Sequence, residues 1–266
     1  MTQDKLEIAI YQQDIAWHNP EGNYRRVEQA VATMGHPVDM IVLPETFNTG
    51  FGGDMRSLAE EAEGPTLEFV KRMAAQYDAA FVGTWLVRYD DEVRNRMHIV
   101  YPDGRYNIYD KLHTFRMSSE YEQVARGHCS ASFEWKGWNI KPAICYDLRF
   151  PVSLRNRYND NALDYDVLLL CANWPASRIA AWDTLLKARA IENVGYVVAA
   201  NRTGVDESGL VYNGHSQVID FKGNRVDNGG DASQPILCAT LSKSELDDFR
   251  KRWPFYLDAD RFSILG

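Results

Sequence analysis

The sequence predicts an α/β fold with helices outside and sheet inside. Short apolar runs with strand character recur along the chain, and helical patterns lie between them. Several of the runs are continuous rather than alternating, as expected of strands covered on both faces.

Taken in order, the predicted strands are Leu6–Tyr11, Asp39–Leu43, Ala80–Val87, Met97–Tyr101, Tyr106–Tyr109, Asn139–Cys145, Val167–Ala172, Tyr196–Asn201, Ser216–Asp220 and Pro235–Leu241. The first helix opens at a cap-like Asn19 with Pro20 in its first turn and runs to about Met34. Pro65–Tyr77, Val152–Tyr158, Ala180–Asn193 and Ser242–Trp253 read as helices too, the last with capping-box spacing from Ser242 to Glu245. Pro102-Asp103-Gly104 and Asp227–Gly230 mark turns. No repeat, low-complexity stretch or linker divides the chain, so one domain over 1–266 is expected. Pro254–Gly266 is too aromatic for a free tail, and Phe255, Tyr256 and Phe262 are expected to pack on this subunit or a second one.

The 266 residues suffice for a sizeable core; 45% are hydrophobic and 25% charged, an ordinary soluble composition. A formal charge of −8 argues against nucleic acid or anionic membrane as the main partner. No apolar stretch approaches the roughly 20 residues that span a bilayer. The first residues show no cleavable signal pattern, so the cytoplasm is the expected location. Cys129, Cys145, Cys171 and Cys238 are scattered, without the spacing of a zinc site or a disulfide framework. Cys171, within a strand, reads as core.

Three residues sit where strands end. Cys145 closes Lys141–Ile144 and precedes Tyr146–Pro151. A strand-to-helix turn there would place the thiol near unpaired N–H groups, which lower its pKa, and would aim the Tyr146 N–H at a developing oxyanion. Glu45 closes Met40–Pro44, at the strand edge where α/β folds hold ligands, and partial burial would suit it to move protons. Lys111 closes Tyr106–Asp110 and offers a compact cation for an oxyanion. Each alone has a plainer reading: a buried small hydrophobe for Cys145, solvated loop residues for the other two.

As a set they say more. Leu43-Pro44-Glu45, Tyr109–His113 and Ile144–Pro151, followed by Ala172–Pro175, Lys187–Asn193 and Tyr212–Ser216, resemble the nitrilase, or carbon–nitrogen hydrolase, superfamily over nearly the whole chain. The resemblance implies a four-layer αββα sandwich, assembly as homodimers or larger oligomers through the helix region after the cysteine, and a Cys145 thioester mechanism with no metal or organic cofactor. It also implies a second glutamate between the lysine and the cysteine, a place that Glu120 matches, with Glu122 as its neighbouring competitor.

Nitrile-cleaving members typically follow the nucleophile with Trp-Glu. Here Tyr146-Asp147-Leu148-Arg149 follows, which is similar to the bacterial ω-amidase branch. That branch implies a small ω-amido carboxylate as substrate, of the 2-oxoglutaramate or succinamate type. His113-Thr114 departs from the His-Leu usual there. A distal carboxylate calls for cations, and Arg116, Arg149 and Arg178 are the candidates, each of which could equally serve a structural ion pair, such as Arg149 with Asp147. Phe47, Tyr121 and Trp174 are the candidate pocket walls, with plain core packing as the alternative. The alternatives are another carbon–nitrogen hydrolase with a different small substrate (a nitrilase, or an N-carbamoyl or aliphatic amidase), a metal-dependent phosphohydrolase on another four-layer sandwich, or a family member that has lost catalysis and serves as a binding partner.

Overall fold

The computed structural model describes residues 3–129, 132–229 and 234–263. The first sheet is laid down by β1 (Lys5–Tyr11), β2 (Met40–Val42), β3 (Ala80–Tyr89), β4 (Glu92–Val100) and β5 (Tyr106–Asp110). β6 (Phe133–Trp135) and β7 (Trp138–Ile144) begin the second; β8 (Tyr158–Asn159) and β9 (Ala162–Leu163) form a small hairpin. β10 (Val167–Ala172) and β11 (Tyr196–Asn201) continue the second sheet. β12 (Thr203–Val205) pairs with β13 (Val211–Asn213), β14 (Gln217–Ile219) completes the second sheet, and β15 (Ile236–Ser242) returns to the first. The strand orders are β15-β1-β2-β3-β4-β5 and β14-β11-β10-β7-β6. Within them β1, β2 and β3 are mutually parallel, as are β7, β10 and β11.

Side-chain alternation builds the layers. Leu6, Ile8 and Ile10 of β1 face the same core as Val167, Leu169 and Cys171 of β10, so the sheets pack face to face. The opposite face of the first sheet, with Ile41 and Phe81, buries Val27 and Val31 of α1 (Pro20–Ala32) and Val70 and Met73 of α2 (Pro65–Tyr77). Beyond the four-residue α3 (Glu120–Gln123), α4 (Ile179–Asn193) sets Trp182, Leu186 and Ala190 on Leu168 and Leu170 of the second sheet. The result is the αββα sandwich, and it explains why β10 reads as unbroken hydrophobic sequence: both of its faces are covered. At about 1.5–3 kcal/mol per buried Leu or Ile, these contacts dominate the core. Caps follow the sequence: Asn19 Oδ1 accepts the Gly22 N–H at 3.0 Å, and at the start of α5 (Lys243–Arg252) Ser242 Oγ accepts that of Glu245 at 3.3 Å.

One expectation fails. Val152–Tyr158 is not a helix but a run of turns ending in β8. Buried Asn156 donates from Nδ2 to the carbonyls of Tyr165 (2.8 Å) and Asn193 (3.0 Å) and accepts the Tyr165 N–H, and such side-chain bonds displace the helical pattern. In the tail, Tyr256 packs on Tyr158 at a centroid distance of 5.2 Å, whereas Phe255 and Phe262 are exposed. Residues 264–266 of that segment, and Gly230 of the expected Asp227–Gly230 turn, lie outside the described residues. No helix among the described residues is long and apolar enough to cross a membrane.

Candidate active site

The carboxyl ends of the parallel strands β2, β7 and β10 converge with the end of β5, and the chemistry-bearing side chains gather there. After β2 the chain delivers Glu45, fully buried. Its Oε2 accepts the Asn173 N–H at 2.9 Å, while Asn173 Nδ2 donates to the Glu45 carbonyl at 2.7 Å and to Thr46 Oγ1 at 3.0 Å. Thr46 is held at a φ of +42°, an unfavourable place for a β-branched residue, with its N–H fixed on Thr84 Oγ1 at 2.8 Å.

Lys111, also buried, is set by backbone bonds from its N–H to the Asn95 carbonyl (3.0 Å) and from the Gly127 N–H to its own carbonyl (2.8 Å). A Cβ on Gly127 would stand 2.2 Å from the Asp110 carbonyl oxygen, so this close approach requires glycine. Lys111 Nζ donates to Glu45 Oε1 at 2.8 Å and to Glu120 Oε1 and Oε2 at 3.0 and 2.9 Å. Asn95 Nδ2 donates to both carboxylates, 2.9 Å each, and the Phe115 N–H caps Glu120 Oε2 at 2.6 Å. Two buried carboxylates thus share one ammonium. Burial would lower the lysine pKa, but Glu120 and Glu45 together raise it, so Lys111 stays charged. Burial raises the Glu120 pKa against the pull of Lys111, with Glu45 adding to the rise.

Cys145 stands at the end of β7 with a φ of +41°, opening a five-residue 3₁₀ turn, Cys145–Arg149. In the first turn of such a helix the Tyr146 N–H has no intrahelical acceptor and is free to serve a ligand. The thiol lies 3.8 Å from the Asn173 carbonyl oxygen. The expected lowering of its pKa is not found: burial and then the Glu45 charge push it well above the usual thiol value, outweighing Lys111. One short turn supplies too little positive potential to compensate for desolvation, so the resting group is a thiol beside a carboxylate.

Neither nearby histidine competes for the role of base. His98 is buried against Trp85 at 3.9 Å and driven down to about 3 by burial, so it is neutral. His113 Nδ1 is tied to Asp147 Oδ1 at 2.8 Å.

Cys145 and Lys111 open on a cavity of 580 Å³, walled also by Tyr146, Arg149, Trp174 and Arg178. Arg149 stacks over Trp174 at 4.8 Å and Arg178 over Phe115 at 5.5 Å, and neither forms an ion pair among the described residues. The Asp147 carboxylate that sequence would pair with Arg149 instead accepts from Tyr109, His113 and Ile144. Three expected pocket residues lie elsewhere. Phe47 is fully buried in the helix-facing core, edge-on to Trp85 at 6.0 Å. Arg116 lies over Tyr121 at 4.1 Å, and the two line a separate 230 Å³ hollow. The aromatic walls that sequence reasoning missed are Trp17, Phe51, Phe115 and Tyr212, with the Phe51 ring 5.0 Å from Lys111 Nζ. It also missed Asn95 and Asn173. For Asn173 a signal existed: it directly follows a buried apolar strand, as Glu45 and Cys145 follow theirs.

Known proteins are similar to this chain from end to end. The carbon–nitrogen hydrolase family model matches residues 7–251. The chain is 38% identical to the ω-amidase YafV of Yersinia enterocolitica, over 98% of this chain and 99% of that one. It is 32% identical to the 2-oxoglutaramate amidase of Bacillus subtilis, over 96% and 97%. A superfamily protein from Xanthomonas campestris, solved with an arsenic adduct in its active site, superposes with a TM-score of 0.95 at 40% identity, covering 99% and 100%. This chain belongs to the carbon–nitrogen hydrolase family.

Proposed function

We propose that the protein hydrolyses the terminal carboxamide of a small ω-amido carboxylate, of the 2-oxoglutaramate or succinamate type, to the acid and ammonia through a thioester on Cys145. The observation that carries this reading is a cavity with Cys145 and Lys111 on its surface and two guanidinium groups on its wall, Arg149 and Arg178, that form no ion pair among the described residues. An amide carbon at the sulfur and a carboxylate at an arginine fork satisfy both ends of such a molecule. The names of the relatives point to the same substrate class.

In the first half-reaction Glu45 takes the Cys145 proton as sulfur attacks the amide carbon. Lys111 Nζ and the Tyr146 N–H hold the oxyanion. Glu45 then returns the proton to the departing nitrogen, since an amide anion is too basic to leave, and ammonia is released. In the second half-reaction Glu45 deprotonates water, the water oxygen attacks the thioester carbon, and as the C–S bond breaks Glu45 returns the proton to the Cys145 sulfur and the acid departs. Glu120 touches Lys111 rather than the reacting atoms, and its part is to hold that cation in place.

Ammonia release from 2-oxoglutaramate, succinamate, butyramide and a simple nitrile, by wild type and Cys145→Ala, tests the reading. The first two should turn over, butyramide should lose most of the rate, and the variant should be inactive on all. Equal rates on succinamate and butyramide would remove the arginines from substrate binding, and preference for the nitrile would move the protein to another branch.

A further inference from the structure

We propose that Asp147 is a positioning residue that fixes the spacing between Lys111 and Cys145. The inference rests on the roles given above to those two residues. Its carboxylate is fully buried and accepts from both of the segments that carry them. From the lysine side come the Tyr109 hydroxyl at 2.7 Å, the His113 N–H at 2.9 Å and His113 Nδ1 at 2.8 Å, flanking Lys111 in sequence. From the cysteine side comes the N–H of Ile144, the residue before the nucleophile, at 2.9 Å. One carboxylate therefore ties the end of β5 to the end of β7.

The tether has a chemical consequence. β5 belongs to the first sheet and β7 to the second, so no backbone ladder joins them. The distance from ammonium to sulfur, and hence to the oxyanion, depends on side chains that cross the gap. Tyr109 is buried against Asp147, and burial, reinforced by that carboxylate, raises its pKa well above 10.0, so it remains a phenol that donates. His113 stacks on Phe150 at 3.9 Å, which orients its ring for the same bond. Asparagine at this position would keep the shape, but whichever way its amide turned, the N–H₂ would face a backbone N–H, of Ile144 or of His113, that can only donate.

The test uses Asp147→Asn, Tyr109→Phe and the double variant. Steady-state rates on succinamate are normalised to alkylatable Cys145, counted by peptide mass, so that misfolded protein is not scored. A misplacement on the scale of 1 Å costs about 100-fold, so Asp147→Asn should lose about that factor in kcat with KM little changed. Its alkylation by iodoacetamide, a displacement that forms no oxyanion, should stay within a few-fold of wild type. Tyr109→Phe should lose less, and adding it to Asp147→Asn should cost nothing further. Wild-type kcat per reactive thiol in Asp147→Asn would overturn the proposal. So would an equal loss in alkylation and turnover, or strictly additive losses in the double variant. If Asp147→Asn does not fold, Tyr109→Phe decides: an unchanged kcat overturns the proposal. Failure of the underlying reading shows separately, as wild-type turnover by Cys145→Ala.

Discussion

Glu45→Gln is expected to lower kcat on an amide substrate by about 10²–10⁴-fold, the range for losing a positioned acid–base group. The reasoning follows from the resting thiol. Burial and Glu45 hold the Cys145 proton on sulfur, so in the proposed mechanism attack hands that proton to the neighbouring carboxylate. In the same proposed mechanism that carboxyl then protonates the leaving nitrogen. The substituted amide retains an oxygen that can accept from Lys111 and Asn95, so the fold should survive, although its N–H₂ would oppose the Asn173 N–H that now donates to Oε2. An activated phenyl ester needs no protonated leaving group and should lose less than the amide. Kinetics on both substrates check this; an amide kcat within tenfold of wild type would remove Glu45 from the proton path.

Lys111→Met should abolish turnover and also destabilise the protein. Loss of an oxyanion donor alone costs about 10²–10³-fold. The structural loss is separate: Glu45 and Glu120, both fully buried, would face each other with only Asn95 shared between them. Breaking one partner out of a buried charge network costs about 3–5 kcal/mol. The pH sense follows from proton counts. A glutamate whose folded pKa stands above its unfolded value binds more protons folded than unfolded, so stability falls as pH rises through that interval. Glu120 is already raised in the wild type, by burial first, and losing the ammonium raises it further. Lys111→Met should therefore lose most stability at neutral pH and regain part of it toward pH 5. Urea midpoints at both values measure this, and a variant as stable as wild type at pH 7 would contradict the buried-network account.

Much of this was legible in the sequence because polar residues that end apolar strands are conspicuous. Glu45, Lys111 and Cys145 each close such a run, and the order of the three carried the resemblance to the family. Asn95 was not legible. It sits inside β4, in the stretch Glu92–Arg96 whose polar sequence hides a strand, so the sequence reading began that strand at Met97. Asn95 and Arg96 are buried there by pairing rather than by hydrophobicity: Arg96 binds Asp110 through two bonds of 2.7 and 2.9 Å, and Asn95 is taken up by the two glutamates. A pattern of apolar residues cannot show that. The pocket walls were harder still. Phe47 and Phe51 lie in one irregular loop, where no periodicity tells which ring turns to the core and which to the cavity. The raised thiol pKa depends on desolvation and on Glu45, both products of tertiary contacts between segments distant in the chain.

The most direct test of the central claim is the mass of the enzyme caught during turnover. Wild type mixed with excess succinamate and quenched in acid within the first turnovers should carry a succinyl group on the peptide containing Cys145, and Cys145→Ala should carry none. A succinyl group found on another residue, or ammonia released at the wild-type rate by Cys145→Ala, would contradict the assignment of Cys145 as the nucleophile.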